Sequence, residues 1–406
     1  MRRWQAAILG GGVVVLTGCA TSGPVSASGR RIPPAVWTAA ETRVAQENPP
    51  PELRLFYLDL YAEGRENEAL HQMRLGLAAL RTGHKEIAKR ALDAAIRDVE
   101  SLTAGEAAAQ RAAGKFVREQ TKWFKGEAYE RAALFFYRGL LYLADEDFGN
   151  AAACFKRAQL QDITGDDAPG FAGDWFSAEW ALAFAALKQG FPQDAEAAVN
   201  RAAQFSTRQD EVPWPRAQDN VLVVVEVGRG PQKYRAGRYG EQLRFQEVRP
   251  AVRTVEVRHG ERLLATSAAA ENLYVQATTR GTRQVDHILQ GKAAFKEGAG
   301  TAAVALGVGA VVAAHHRGRE ADIATGVLGG LAVISAIVSE AATPEADVRG
   351  WDALPHSIYL VGVELPAGPV ELEVRGRGAG GESAASLKLP IIVQPNDPIQ
   401  VVMVRL

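Results

Sequence analysis

The sequence predicts an α+β protein. An N-terminal α-helical solenoid is followed by a β-rich, sandwich-like region, which a Gly/Ala-rich helical hairpin interrupts. Three observations carry this. Small residues recur at one fixed spacing three times between Gly76 and Ala202. A β-branched run, Val221-Leu-Val-Val-Val-Glu226, opens a stretch of short apolar segments separated by turns. Two uncharged runs rich in Gly and Ala, 299–314 and 323–338, flank a charged turn. Helical spacing, strand composition and turn residues are the primary signals for these assignments.

The chain opens with Arg2 and Arg3, an apolar run over 6–16, and the box Leu16-Thr17-Gly18-Cys19. The run is too short to span a bilayer and has the layout of an export signal. With a cysteine at the cut, the box resembles the signal of bacterial lipoproteins. That resemblance implies a signal peptide over 1–18 and acylation, palmitate included, of Cys19 as the mature N-terminus. Several acyl chains anchor stably where one holds only marginally. Ala20 stands where an Asp would favour inner-membrane retention in enterobacterial-type sorting, which implies an outer-membrane address on the periplasmic face. Residues 19–50 form the lipidated N-terminus and a tether, with Ser, Gly and Pro concentrated in 21–34.

Composition bounds the remainder. The 406 residues suggest two or three domains, and a hydrophobic fraction of 47% is ample for packed cores. Lys+Arg number 46 against Asp+Glu 47, so no basic field exists to draw nucleic acid. Of the 2 cysteines, lipidation of Cys19 leaves Cys154 alone, so no internal disulfide framework is expected.

The helical region spans 51–207. Gly76, Ala88, Leu92 and Ala95 share their spacing with Gly139, Ala151, Phe155 and Ala158, and again with Ala183, Ala195, Val199 and Ala202. A small residue on one helix admits a second helix closely at another small residue, and the larger residue between fills the groove. Thr82-Gly83-His84, Asp145-Glu146-Asp147 and Gln189-Gly190-Phe191-Pro192 supply the turns. These units resemble tetratricopeptide repeats over roughly 67–204. They depart from that pattern in an extra helical segment near 104–121 and in Arg138, where an apolar residue is usual. The resemblance implies a concave groove for a protein or peptide. Trp123, Phe124, Tyr129, Tyr142 and Trp175 are the candidate partner-binding residues. Aromatics at helical spacing also fill helix interfaces, and that reading stands beside the first.

Pro213 and Pro215 mark a linker into a β-rich region, 208–290. Candidate strands there are 221–226, 242–245, 253–258, 262–265 and 272–278, with His259-Gly260 as a hairpin turn. Gly228-Arg229-Gly230-Pro231 reads as a strand-ending turn. The Gly/Ala hairpin occupies 291–345. Each uncharged run makes roughly 24 Å of helix against a hydrocarbon core of roughly 30 Å. It reads either as a hairpin buried against the β region or, across 299–338, as one that enters a membrane or self-associates. The C-terminal module, 346–406, carries candidate strands 357–364, 369–375, 385–393 and 399–405. Leu365-Pro366-Ala367-Gly368 forms a tight turn, and Trp351 with Leu354 forms an apolar plug. This strand pattern resembles the small β-sandwich modules of the PEGA type found in envelope proteins.

Little in the chain points to catalysis. It has no serine nucleophile elbow and no zinc-binding His-Glu-x-x-His, and its 7 histidines are scattered. No catalytic residue, metal ligand or cofactor is assigned. Glu127 and Glu130 would suit an acid–base pair of a cell-wall hydrolase, or simply a solvated helix face. Taken together, Phe124-Lys-Gly-Glu127, the 221–231 run, the Gly/Ala hairpin and Trp351 to Pro355 resemble a family of repeat-containing bacterial envelope lipoproteins, a resemblance that implies an architecture and no particular activity. The expected function is a lipid-anchored scaffold that binds a protein or peptide in envelope or peptidoglycan assembly. The alternatives are a membrane-inserting or oligomer-forming component acting through the hairpin, and a cell-wall hydrolase.

Overall fold

A computed structural model describes residues 24–26, 29–113, 123–163, 173–205, 211–279, 345–395 and 399–406. Cys19 and the Gly/Ala hairpin, 299–338, lie outside the described residues. Among the described residues no helix is long and apolar enough to cross a membrane.

Helices α1 (Pro34–Glu47) and α2 (Arg54–Ala62) lead into three helix pairs. These are α3 (Glu68–Arg81) with α4 (Lys85–Ala113), α5 (Ala128–Ala144) with α6 (Phe148–Ile163), and α7 (Phe176–Lys188) with α8 (Pro192–Ala202). The part of the extra segment that is described continues α4 instead of forming a separate helix. The repeated small residues lie at the pair contacts. A Cβ on Gly76 would come within 2.5 Å of Leu92, and one on Gly139 within 2.4 Å of Phe155. Ala88, Ala95, Ala151, Ala158, Ala183, Ala195 and Ala202 are all buried. Glu146, at φ 62°, takes the left-handed conformation that closes the α5–α6 turn. Helix α5 is buried on nearly every side, the mark of a helix enclosed by neighbours.

Two four-stranded sheets follow, in the order β10-β1-β7-β6 and β5-β4-β8-β9, with a separate two-stranded ribbon β2-β3. Their strands are β1 (Val221–Val227), β2 (Gln232–Ala236), β3 (Gln242–Gln246), β4 (Thr254–His259), β5 (Arg262–Ala268), β6 (Glu271–Asn272), β7 (Ser357–Val363), β8 (Gly368–Arg377), β9 (Ser383–Val393) and β10 (Gln400–Arg405). The first sheet is the middle layer of three. Leu222 and Val224 join the helical core, whereas Val221, Val223, Val225 and Val227 face the second sheet. Burial on both faces explains why β1 reads as an unbroken apolar run without alternation.

The structure corrects the sequence reading at three points. Residues 272–278 are not a strand: β6 stops at Asn272, and α9 (Leu273–Thr278) begins there. The Asn272 side chain caps it by accepting from the Tyr274 and Val275 amides, and that local bond overrides the β propensity of Tyr274 and Val275. Gln232–Ala236, unassigned in the sequence, is a strand. The boundary between 208–290 and 346–406 does not separate two β units. β1 pairs with β7 and β10, and β4 pairs with β8, so both sheets draw on both regions. Neither set of strands could bury its faces without the other.

Candidate functional site

The seam between the helices and the middle sheet gathers the charged side chains that the two cores enclose. The segment before α5 turns at Gly126 and enters the helix at Glu127, whose amide donates to Glu130 Oε2 at 2.7 Å in a capping box. Glu130 is fully buried. Its Oε1 accepts from the Trp351 amide at 2.6 Å, and Lys233 of β2 reaches its Oε2 at 2.7 Å. Lys233 also donates to the Arg349 carbonyl. Phe124 and Tyr129 wall this ammonium, with ring centroids 5.8 Å away. A buried ion pair of this kind is tolerated when further hydrogen bonds support it, and here the Trp351 and Glu127 amides bond the carboxylate while the ammonium also reaches the Arg349 carbonyl.

A second buried carboxylate lies along the same seam. Glu226 ends the apolar run of β1 on its helix-facing side. It accepts from Arg81 of α3 at 2.6 Å and from the Tyr137 hydroxyl of α5 at 2.5 Å. Arg81 also bonds the Ala353 carbonyl. Burial and the adjacent carboxylate push the Tyr137 phenol well above its usual range. Trp351 packs edge-on against the Tyr137 ring at 5.9 Å, so the apolar plug read from the sequence sits between the two carboxylates.

Beside this second node a cleft of about 190 Å³ opens between the C-terminal ends of α3 and α5 and strand β10. Leu80, Leu140, Leu141, Ala144, Val401 and Met403 supply its apolar wall. Arg81 and Lys85 stand at the same opening. No group of residues among those described is arranged to hold a metal ion.

No family model matches the chain. Neither a curated protein nor a solved structure shows significant similarity to it. The seam and its cleft therefore rest on their own geometry.

Of the aromatics that the sequence offers for partner binding, only Trp123 keeps a large free face, at 50% exposure. Phe124 and Tyr129 are buried around Lys233. Trp175 is fully buried at the start of α7, where its amide and carbonyl bond the Gln159 side chain. Tyr142 is half-buried, with the Arg138 guanidinium 3.7 Å above its ring. Arg138 in turn grips Asp93 through two bonds, which pairs this largely buried cation. Phe124, Tyr129 and Trp175 thus offer no surface to a partner. Cys154 lies half-buried on α6, its thiol pushed up to about 11 by burial. Glu127 and Glu130 engage each other and the seam rather than forming a solvated face.

The sequence reading passed over Arg81, Lys233 and Arg349. Arg81 and Lys233 are matched with acids and carbonyls far along the chain, so nothing local marks them, whereas Arg349 pairs with Asp347 two residues away and also reaches the remote Asn67. Glu226 did carry a signal: an acid closing an otherwise unbroken apolar strand must find a partner or stay neutral.

Proposed function

We propose that this chain is a lipid-anchored, periplasm-facing scaffold of the bacterial outer membrane that binds a protein or peptide partner, acting in cell-envelope or peptidoglycan assembly. The anchor rests on the box Leu16-Thr17-Gly18-Cys19 and the Ser/Gly/Pro tether after it. The single observation that carries the binding reading is the open cleft between α3, α5 and β10. It is lined by apolar side chains, bordered by cations, and held in shape by the Glu226–Arg81–Tyr137 node. The three successive helix pairs support a tetratricopeptide-like solenoid, with the middle sheet packed along α3, α5 and α7.

The test uses the full chain in its own envelope. A photo-crosslinking residue replaces Val401 in the cleft, and in a second strain it replaces Lys388 on the exposed β9 strand. Discrete adducts at Val401 and none at Lys388 are expected. Adducts at neither position, or equal adducts at both, overturn the reading. In the same strains Cys19→Ser should abolish lipid labelling and release the chain from the outer membrane. Retention there would overturn the anchor.

A further inference from the structure

The outer edge of β10 is an unpaired β-strand edge beside the cleft. Its register with β1 is parallel: the Gln400 amide donates to Asn220, and the Leu406 amide to Glu226. Main-chain groups alternate in direction along a strand. The even-numbered residues therefore face β1, while Val401, Met403 and Arg405 turn their N–H and C=O groups away from it. These groups find no partner among the described residues. Val401 and Met403 are half-buried where every residue of β1 is buried. Of the two edges of the second sheet, β5 and β9, the longer, β9, carries Pro390 and the exposed Lys388, two devices that discourage strand addition. β10 carries neither a proline nor a bulge.

The charged side chains at this edge and at the cleft beside it are mainly basic. Arg81 is matched by Glu226. Arg405, exposed at the end of β10, lies near enough to Arg81 and to the exposed Arg229 for its charge to oppose theirs, with Glu226 the acid it also feels. Of the acids in the α5–α6 turn, Asp145 is engaged by Lys89 and Asp147 by Asn150, while Glu146 is exposed.

We propose that the β10 edge pairs with an extended peptide segment of the partner, one carrying an apolar side chain for the cleft and an acidic residue at the Arg405 end. Main-chain bonds to Val401 and Met403 give the affinity, and the cleft and the arginines give the selectivity. The proposal rests on the partner-binding reading above.

The probe is a fluorescent peptide of alternating Thr and Val ending in two Glu, titrated by anisotropy against the full chain in mild detergent. Its counterpart carries Lys for Glu. The acidic peptide should bind at least about tenfold tighter, and Arg405→Glu should reverse that order. Two further peptides carry N-methyl groups on alternate residues, one on the odd and one on the even positions. One of them should lose binding at least about tenfold and the other keep it, because only one set of amides faces β10. Met403→Pro removes an outward amide and no bond to β1, so it should weaken binding about tenfold with the fold intact. Absent binding, equal binding of both N-methylated peptides, or indifference to charge overturns the proposal. If Met403→Pro fails to fold, the N-methylated pair decides alone. Cleft adducts from Val401 that persist in Met403→Pro would overturn the edge pairing and leave the broader reading standing.

Discussion

Lys233 Nζ lies 2.7 Å from Glu130 Oε2, with the lysine side chain 4% exposed and the glutamate fully enclosed. This pair ties the first turn of α5 to the β2–β3 ribbon. Its energetics are asymmetric. Glu130→Ala leaves an ammonium buried without its counter-ion and frees the Trp351 and Glu127 amides. A loss of about 3–5 kcal/mol in unfolding free energy is expected. Glu130→Gln with Lys233→Met removes both charges, keeps an acceptor for Trp351, and should recover at least half of that loss. Denaturant titration of the three chains measures this, and a double variant no better than Glu130→Ala would refute it.

Gly139 faces the Phe155 ring so closely that the smallest added group collides. Gly139→Ala places its Cβ 2.4 Å from the ring, in a core where Phe155 is fully buried and has no room to swing aside. Overpacking of this kind costs about 1–3 kcal/mol. Combining it with Phe155→Leu should relieve part of the cost. An unchanged melting temperature for Gly139→Ala would show that α5 and α6 pack elsewhere.

His356 gives the fold a pH dependence of defined sign. Burial holds its imidazole below the ordinary 6.5, against the opposing pull of Glu247, whose carboxylate lies 3.2 Å from Nε2. The unfolded chain therefore takes up a proton before the folded one. The stabilisation is complete above 6.5 and is lost as pH falls through the window between 6.5 and the depressed folded value. Melting curves across that window should show the wild type losing stability more steeply than His356→Gln. Parallel profiles for the two chains would place the titration elsewhere.

Cys154 should behave as an inert thiol. Burial pushes it up to about 11, opposed by nearby Arg138. In the Cys19→Ser chain, labelling by a thiol-disulfide reagent near neutral pH should be far slower than for free cysteine, and should approach the free rate on denaturation. Rapid labelling of the folded chain would contradict the packing of α6.

Much of the local structure was legible because it follows from short-range rules. The spacing through Gly76, Gly139 and Ala183 located three helix contacts, since close approach needs a missing or small side chain at the crossing. His259-Gly260 located a hairpin, since Gly260 at φ 56° takes the left-handed turn conformation. The 272–278 segment failed where the apolar pattern fits strand and helix alike and a single capping bond from Asn272 decided between them. The aromatic site failed for a different reason. Whether Phe124, Tyr129 and Trp175 face a groove or a core depends on what lies across from them, and for Phe124 and Tyr129 that is Lys233.

The sequence by itself determined most of the element types and the small-residue contacts of the helix pairs, because periodicity and residue size are local properties. Only the tertiary structure decided that strands from both ends of the β region interleave. It also decided that Glu130 meets Lys233, that Glu226 meets Arg81 and Tyr137, and that β10 ends a sheet beside a cleft. The physical reason is that a charge buried in a seam is matched by whatever chain the fold brings opposite it, and sequence distance carries no record of that meeting.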